Sequence, residues 1–240
     1  MTSSGSSTKD KLILAINGAE HILQVLLCSK EEILFYQKMY APRQGMKFLP
    51  LALNMAFESI GLDPKDLRGI ACVVGPGFFT GLRVVLSIAV GISRAANVLM
   101  APLNYLSLIA KTAYSSEKEA KEIWVLTYAR KNMVYLQGFK LPDLKPITDP
   151  LFKDLEESFE MISNQSENPV LVGSGVSQFE EFWKEKGLKC LSSKYNNPSK
   201  EVLWQEAISA DFSFKTLTPL YLRPSDAEMN LDKIKAQRGL

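Results

Sequence analysis

The sequence has 240 residues, of which 46% are hydrophobic and 22% are charged. This composition is typical of a globular protein and excludes a collagen-like or an intrinsically disordered chain. The 28 lysines and arginines against 26 acidic residues leave a net charge of +2. Because the basic residues are dispersed along the chain, it lacks the basic stripe expected of a nucleic-acid clamp.

The first half of the sequence predicts a strand-rich α/β unit. Short apolar runs bounded by turn residues are typical of strands, and apolar residues at helical spacing indicate helices. The predicted strands are Leu12–Ile16, Ile22–Leu27, Ile33–Tyr36, Gly69–Val74 and Val98–Ala101, and the predicted helices are Gly45–Ile60, closed by Gly61, and Thr80–Ala96.

The second half partly repeats this order. Its predicted strands are Ile123–Tyr128, Met133–Phe139 and Pro169–Val172, and its predicted helices are Asn104–Lys118, Asp149–Met161, Ser177–Lys186 and Ser199–Ala210. Strands followed by alternating helices and strands in both halves predict two related α/β lobes. We expect a disordered leader at residues 1–10, an N-terminal lobe at 11–105, a smaller C-terminal lobe at 106–225 and a tail at 226–240.

The cysteines and the histidine argue against a disulfide framework or a metal site. Cys28, Cys72 and Cys190 are widely spaced, contain no C-x-x-C pair and have one histidine, His21, to join them. Cys72 lies in an apolar run and is predicted to be a buried, unreactive thiol. The longest stretch without a charged residue, Ala95–Ala110, is shorter than the roughly 20 residues of a membrane-spanning helix. We therefore expect a cytoplasmic protein of a reducing compartment, with no membrane contact.

The sharpest local signal is a glycine-rich turn between a predicted strand and a predicted helix, Val73–Arg83. Thr80 is placed to cap that helix through its hydroxyl. The glycine spacing matches neither of the two common nucleotide-binding fingerprints. Geometry alone leaves two interpretations open: a tight structural turn, or a loop that contacts a phosphate or a partner.

As a whole string, G-P-G-F-F-T-G-L-R closely resembles the G-P-G-S-F-T-G-L-R hallmark of the bacterial TsaB family, also called YeaZ. The resemblance covers roughly residues 11 to 228. Further matches follow in family order at Ile13–Ile16, Ala129-Arg130, Val134-Tyr135, Gly173-x-Gly175 and Pro219-x-Tyr221-Leu222-Arg223-Pro224. The resemblance implies an α/β fold of two ribonuclease-H-like lobes, of the actin/hexokinase/Hsp70 (ASKHA) type.

The resemblance also implies a function. Members of the family support TsaD in transferring a threonylcarbamoyl group to adenosine 37 of tRNA. A protein of this kind is expected to be a non-catalytic scaffold that forms a heterodimer with TsaD, works with TsaE, pairs with itself in isolation and meets tRNA indirectly through the complex. No cofactor is expected to be tightly bound, and ATP or ADP would join only in the complex.

Departures from the family pattern identify a divergent member. Asn17-Gly18 stands where the family usually has Asp-Thr or Asp-Ser, so a carboxylate that could hold a metal through water is missing. Tyr128 replaces the aspartate of the family's Asp-Ala-Arg, and Phe78 replaces the serine of the hallmark. Asn17 is more simply interpreted as the residue that holds a hairpin turn.

We therefore expect no catalytic residue and no metal ligand in this chain. His21 is the sole histidine, so no ordinary Ser-His triad can be assembled with a second one. The alternatives left open are a self-standing ASKHA-type kinase or hydrolase, a TsaB-like peptidase and a homodimeric binding protein without TsaD.

Two sets of residues are candidates for binding. The turn and two arginines that could point into an interlobe cleft form the first set: Gly75, Pro76, Gly77, Thr80, Gly81, Arg83 and Arg130. The two long helices are apolar around most of their circumference, so they require a second covering surface, either the fold's own second lobe or another subunit. The predicted partner interface is Phe48, Leu49, Leu53, Phe57, Leu86, Ala89, Val90 and Gly91.

Overall fold

A computed structural model describes residues 12–42, 44–117 and 119–223 of the chain. The leader predicted at residues 1–10 and the tail predicted at 226–240 lie outside these residues. Within the described part, the chain forms two mixed β-sheets with helices packed against them.

The first sheet is formed by the N-terminal part of the chain. Its strands are β1 (Leu12–Asn17), β2 (Ile22–Cys28), β3 (Ile33–Tyr40), β4 (Leu67–Gly75) and β5 (Leu99–Asn104). They lie in the order β3-β2-β1-β4-β5, with antiparallel pairing among the first three and parallel pairing of β1, β4 and β5. Helix α1 (Gly45–Ile60) follows β3, and α2 (Phe79–Ala96) makes the crossover that the parallel pair β4 and β5 requires.

The second sheet begins after helix α3 (Tyr105–Tyr114). Its strands are β6 (Glu122–Arg130), β7 (Met133–Lys140), β8 (Lys145–Pro146), β9 (Leu151–Asp154), β10 (Val170–Val172) and β11 (Lys189–Cys190). They lie in the order β11-β10-β6-β7-β8, and β9 also pairs with β7. The remaining helices are α4 (Leu155–Gln165), α5 (Ser174–Gln178), α6 (Glu180–Glu185) and α7 (Lys200–Ser209).

The two sheets share one strand plan. In each, an antiparallel hairpin is extended by a third antiparallel strand on one side and by two parallel strands on the other. This plan is that of two ribonuclease-H-like lobes of the actin/hexokinase/Hsp70 type, so the predicted fold class is confirmed.

Strand β1 is apolar throughout because both faces of the first sheet are covered. Ile13 and Ala15 belong to a core shared with α3 and α7, while Leu14 and Ile16 belong to a core beneath α1 and α2. Alternate side chains of a strand point to opposite faces, so a strand buried on both faces reads as a continuous apolar run.

The core on the α3 and α7 side is continuous between the two sheets. It joins Ile13 and Val73 of the first sheet to Val125 and Val172 of the second. The lobe boundaries near residues 105 and 225 remain predictions, because this core spans both sheets.

Most predicted elements match the structure. In the first half, β3 and β5 run to Tyr40 and Asn104, beyond their predicted ends at Tyr36 and Ala101, and the larger differences lie in the second half. The helix predicted over Asp149–Met161 is wrong at its start, because Leu151–Asp154 pairs with β7 as a strand and the helix begins at Leu155. The helix predicted over Ser177–Lys186 begins earlier, at Ser174, and is interrupted at Phe179, which divides it into α5 and α6. Two-residue strands such as β8 and β11 carry too few residues for a pattern to show.

Helix α2 has the length and apolar composition that would let a helix cross a membrane. Its inner face packs on the first sheet, with Leu82, Val85, Leu86 and Ala89 all buried. The core helix of an α/β layer has the same composition.

Candidate functional site

A cleft of about 500 Å³ lies between the two lobes. It lies between the β1–β2 turn, the glycine-rich turn that precedes α2, and the neighbouring ends of β6 and β7. Four of the seven predicted cleft residues line it: Gly77, Thr80, Gly81 and Arg130. The other three, Gly75, Pro76 and Arg83, are not among its lining residues.

The glycines of the turn are explained by its close approach to the β1–β2 turn. A Cβ added at Gly77 would lie 2.2 Å from the carbonyl oxygen of Ala19, and one added at Gly81 would lie 2.2 Å from that of Gly18. The Phe78 N–H donates a hydrogen bond to the Ala19 carbonyl at 2.6 Å. Gly75 has a φ of +117°, a region that favours glycine. The tight structural turn is therefore present, and it also forms one wall of the cleft.

Thr80 does not cap α2, so this prediction is wrong. The helix begins at Phe79, its N-cap position is Phe78, and no side chain accepts a hydrogen bond from the first turn. Thr80 already lies inside the helix, where its hydroxyl cannot take the capping position, and its side chain is exposed at the cleft.

Glu20 is a residue that the sequence analysis missed. It lies in the β1–β2 turn and lines the cleft, and both of its carboxyl oxygens accept hydrogen bonds from residues of later helices. The Ser174 hydroxyl donates to Oε1 at 2.5 Å, and the Tyr105 hydroxyl donates to Oε2 at 3.2 Å. The Tyr128 N–H in turn donates to the Ser174 hydroxyl at 2.8 Å. Glu20 therefore links the first sheet's hairpin to the start of α3 and the start of α5.

Burial raises the pKa of Glu20 from 4.5 to about 7, and the hydrogen bonds from Ser174 and Tyr105 lower it only in part. Burial also raises the pKa of the Tyr105 phenol well above 10, and the neighbouring Glu20 carboxylate raises it further. A single glutamate in a hairpin turn normally indicates a solvated side chain, so the sequence carries no signal of this arrangement.

Aromatic rings line one side of the cleft. The His21 ring lies 4.6 Å from the Phe78 ring, and the Phe78 ring lies 6.5 Å from the Tyr128 ring in an edge-to-face arrangement. Tyr128 also contacts Phe179, at 5.9 Å between ring centroids. His21 is exposed, lies just before β2 and lines the cleft.

Two arginines line the same cleft from the second sheet and from the C-terminal segment. The Arg130 guanidinium lies 5.5 Å from the Phe152 ring, and the Arg223 Nε donates to the Tyr135 hydroxyl at 3.2 Å. The Tyr135 and Phe152 rings are themselves 5.6 Å apart. Arg130 therefore lies near one ring of this pair, and Arg223 is hydrogen-bonded to the hydroxyl of the other. Arg223 belongs to the P-x-Y-L-R-P string, which sequence alone could not place at the cleft.

The segment that carries Arg223 is a strap, residues 211–223, that follows α7 along the first sheet. Its Ser213 pairs with Met100 of β5, and the Leu220 N–H donates to the Val74 carbonyl at 2.8 Å. The strap then stacks the Tyr221 ring on the Phe79 ring at 4.2 Å.

The strap also determines the position of Arg83. Its guanidinium lies over the Phe79 ring at 3.9 Å, and its Nε donates to the Tyr221 hydroxyl at 3.0 Å. Arg83 is therefore engaged with the strap and is placed outside the cleft.

Asn17 has the turn-holding role predicted for it. Its side-chain oxygen accepts a hydrogen bond from the Ala19 N–H at 3.0 Å, and its side-chain nitrogen donates one to the side-chain oxygen of Gln24 at 2.7 Å. Asn17 and Gln24 are both fully buried. Cys72 is fully buried, and burial raises the pKa of its thiol to about 12. Within residues 12–42, 44–117 and 119–223, no three His, Cys, Asp or Glu side chains cluster as metal ligands would.

Half of the predicted partner interface is wrong. Four of its eight residues, Leu49, Leu53, Leu86 and Ala89, are buried in the core beneath α1 and α2. Their apolar character serves the packing of the helices on their own sheet, so these side chains cannot contact a partner.

The outer side of the same two helices is open. Leu51 and Met55 on α1 are 56% and 52% exposed, and no neighbouring atom lies within 4 Å of a Cβ added at Gly91 on α2. Ser87 and Ala95 of α2 are also exposed. We call these five residues the helix-pair surface. Of the remaining predicted residues, Phe48, Phe57 and Val90 are half-buried beside it. Within the described residues, the second lobe does not cover Leu51 or Met55.

Comparison with known proteins decides the family. The model of the family described as "TsaD: tRNA N6-adenosine threonylcarbamoyltransferase" matches residues 39–171, which is more than half of the chain. The chain belongs to the TsaD/TsaB (YeaZ) family. The Escherichia coli tRNA threonylcarbamoyladenosine biosynthesis protein TsaB is 26% identical over 221 residues, covering 88% of this chain and 94% of that protein.

Solved structures of this family share the fold. A Pseudomonas aeruginosa protein described as similar to the peptidase YeaZ superposes with a TM-score of 0.70 at 19% identity, covering 89% of this chain and all of that one. YeaZ from the same organism gives a TM-score of 0.65 at 18% identity, covering 81% and 90% of the two chains. At this identity the likeness supports the shared two-lobe fold.

Proposed function

We propose that this chain acts in the biosynthesis of N6-threonylcarbamoyladenosine in tRNA, as a non-catalytic subunit that supports TsaD. The names of its TsaB relatives and of the matching family support this role. The proposed role belongs in the cytoplasm. TsaE and, within the complex, ATP or ADP complete the proposed assembly, and tRNA would be met through TsaD.

The observation that carries the proposal is the helix-pair surface. Leu51 and Met55 expose large apolar side chains beside the small residues Ser87, Gly91 and Ala95. Small residues let a second helix approach closely, and large apolar side chains exposed together on a helix are typical of a contact site. The chain itself matches the TsaD family model, so a partner of the same fold can present a related surface across a pseudo-two-fold axis. A homodimer of the isolated chain would compete for the same surface.

The cleft supports a non-catalytic role. Phosphoryl transfer needs groups that hold a metal and orient a nucleophile. At the ends of the first strands of the two sheets the chain has Asn17, which is engaged with Gln24, and Tyr128, which contacts Phe78. The kinase-like alternative requires carboxylates at these two positions.

The proposal is tested by measuring mass in solution. Light scattering of the chain alone and mixed with TsaD from the same source is expected to show a homodimer replaced by a heterodimer. Reconstituted tRNA modification is expected to depend on this chain. A lack of complex, or modification that proceeds equally well without the chain, would refute the proposal.

Two substitutions locate the contact. Met55→Asp places a charge on the helix-pair surface. Gly91→Arg adds a large charged side chain there, and arginine has a higher helix propensity than the glycine that it replaces. Both are expected to abolish association and leave the far-ultraviolet circular dichroism unchanged. Phe214→Asp is the matched control, because Phe214 is 70% exposed and lies away from α1 and α2 in the chain, in the strap. Equal loss in the control would show that the helix pair has no special role.

A further inference from the structure

The strap crosses from one lobe to the other beside the interlobe cleft. Its Leu220 N–H donates a hydrogen bond to the carbonyl of Val74 in the first sheet at 2.8 Å. Three residues later, the Arg223 Nε donates to the hydroxyl of Tyr135 in the second sheet at 3.2 Å, and Arg223 lines the cleft. The chain that follows Arg223 therefore starts at the cleft.

The segment that follows the strap is acidic. Residues 224–232 contain three carboxylates and neither lysine nor arginine, whereas residues 233–240 contain three basic side chains and none that is acidic. An extended chain advances by at most about 3.6 Å per residue, so Asp226 and Glu228 can reach no farther than about 11 and 18 Å from Arg223. The chain connection therefore keeps both carboxylates close to the cleft.

The cleft has the complementary charge. Arg130 lines it at the end of β6, and Arg223 lines it at the end of the strap. A guanidinium carries five N–H donors, so Arg223 can hold a carboxylate as well as the Tyr135 hydroxyl. Glu20 is the sole carboxylate among the described lining residues, and burial raises its pKa to about 7, so a large fraction of it is neutral near neutral pH. The two arginines therefore dominate the charge of the cleft.

The cleft also has an apolar wall that is partly open to solvent. Phe78, Phe79 and Val84 line it and are only half-buried. The cleft volume of about 500 Å³ has room for several side chains. An occupant that combines carboxylates with apolar side chains would match both the arginines and this wall.

The sequence after the strap has this combination. In residues 226–232, acidic or amide side chains alternate with Ala227, Met229 and Leu231. Strict alternation predicts an extended segment with one polar face and one apolar face. Such a segment can direct its carboxylates to the arginines while its apolar side chains cover the wall.

We propose that residues 224–232 fold back into the interlobe cleft of their own chain as an extended plug, with Asp226 and Glu228 on the two arginines and Met229 and Leu231 on the apolar wall. The connection to Arg223 gives this segment an effective concentration in the millimolar range, so contacts that would be weak between separate molecules are sufficient. The plug lies apart from the helix-pair surface and needs no second subunit. It is therefore independent of the association with TsaD.

The distance between two spin labels in the full chain tests the plug. One label is attached at Asn230→Cys and the other at Lys131→Cys, an exposed position in the turn between β6 and β7. Cys190→Ser removes the half-buried thiol, while the thiols of Cys28 and Cys72 are buried and have pKa values of about 12. Double electron–electron resonance is expected to give one narrow distance distribution. A broad distribution would overturn the proposal.

Substitutions in the same labelled chain assign the charged contacts. Asp226→Lys with Glu228→Lys is expected to cause loss of the narrow distribution. Salt at about 1 M should act in the same direction, because it screens ion pairs near the surface. The matched control is Lys233→Glu with Lys235→Glu, which reverses two charges in the basic part and should leave the distribution narrow. Equal effects of the two pairs would refute the pairing of the acidic residues with the arginines.

Two further measurements test the apolar contacts and the origin of the segment. Met229→Ser with Leu231→Ser should also cause loss of the narrow distribution, and an unchanged distribution would overturn the apolar half of the proposal. An excess of unlabelled chain should leave the distribution unchanged, because both labels belong to one chain. Loss of the narrow distribution on this dilution would show that the segment enters the cleft of a second copy, which would overturn an internal plug.

Discussion

The hydrogen-bonded Glu20 makes stability depend on pH in a direction that can be measured. Its pKa is raised from 4.5 to about 7 in the folded protein. The folded state therefore holds this proton more tightly than the unfolded state does. The contribution of Glu20 to stability is fully present below pH 4.5 and is lost as the pH rises through 7.

The substitution Glu20→Gln removes this titration and keeps a side chain of the same shape. One pKa unit corresponds to about 1.4 kcal/mol, so the wild-type protein is expected to lose about 2 to 3 kcal/mol through Glu20 between pH 5 and pH 8. The amide has no charge to desolvate. The variant should therefore gain about 2 to 3 kcal/mol relative to the wild type across the same interval.

Urea unfolding of both proteins at half-unit steps from pH 5 to pH 8.5 measures this difference. Taking the difference between the two proteins cancels the titration of every other group that the substitution leaves alone. Glu58→Gln, at an exposed position of α1, is the matched control and should show a difference that is flat with pH. A flat difference for Glu20→Gln as well would refute a buried, proton-holding Glu20, and so would a difference of the opposite sign.

Three further predictions concern the turn, the strap and the thiols. Gly77→Ala should lower the free energy of unfolding, measured in urea, by about 3 kcal/mol or more, because its Cβ would lie 2.2 Å from a backbone oxygen. Gly91→Ala should raise it by up to about 1 kcal/mol, because the added methyl group would lie in open space on α2. If both changes had similar small effects, the turn would not be tightly packed. Tyr221→Ala should lower stability by about 1 kcal/mol and speed hydrogen exchange of the Leu220 amide, since the ring stacks on the start of α2; unchanged exchange would show that the strap is held elsewhere. In the native protein at pH 8, a thiol reagent should modify the half-buried Cys190 first, because burial raises the pKa of the other two thiols to about 12. Faster reaction of either buried thiol would contradict their placement in the sheet.

Much of the fold follows from local patterns. The apolar run of β1 and the helical spacing that ends at Gly61 predict their elements because each depends on its own residues. Strand β9 could not be found in this way. Its four residues are half-buried, and pairing with β7 rather than a pattern of their own makes them a strand.

In the candidate sites, too, some features could be predicted from local sequence and others could not. The string around Gly77 identified the turn, since its glycines answer a local requirement of the backbone. The inner and outer faces of α1 and α2 could not be separated, because both are apolar in sequence. Only the packing on the sheet shows that Leu49 is buried and that Met55 is exposed.

What the sequence by itself determined is the fold class, the family resemblance and the position of the glycine-rich turn, because these reside in residues that are neighbours along the chain. Only the tertiary structure brought Glu20 to Ser174, 154 positions away, and placed Arg223 on Tyr135, 88 positions away. A buried carboxyl and a pair of cleft arginines depend on which distant segments meet. That is determined by how the two sheets and the strap pack together, and no spacing along the chain encodes it.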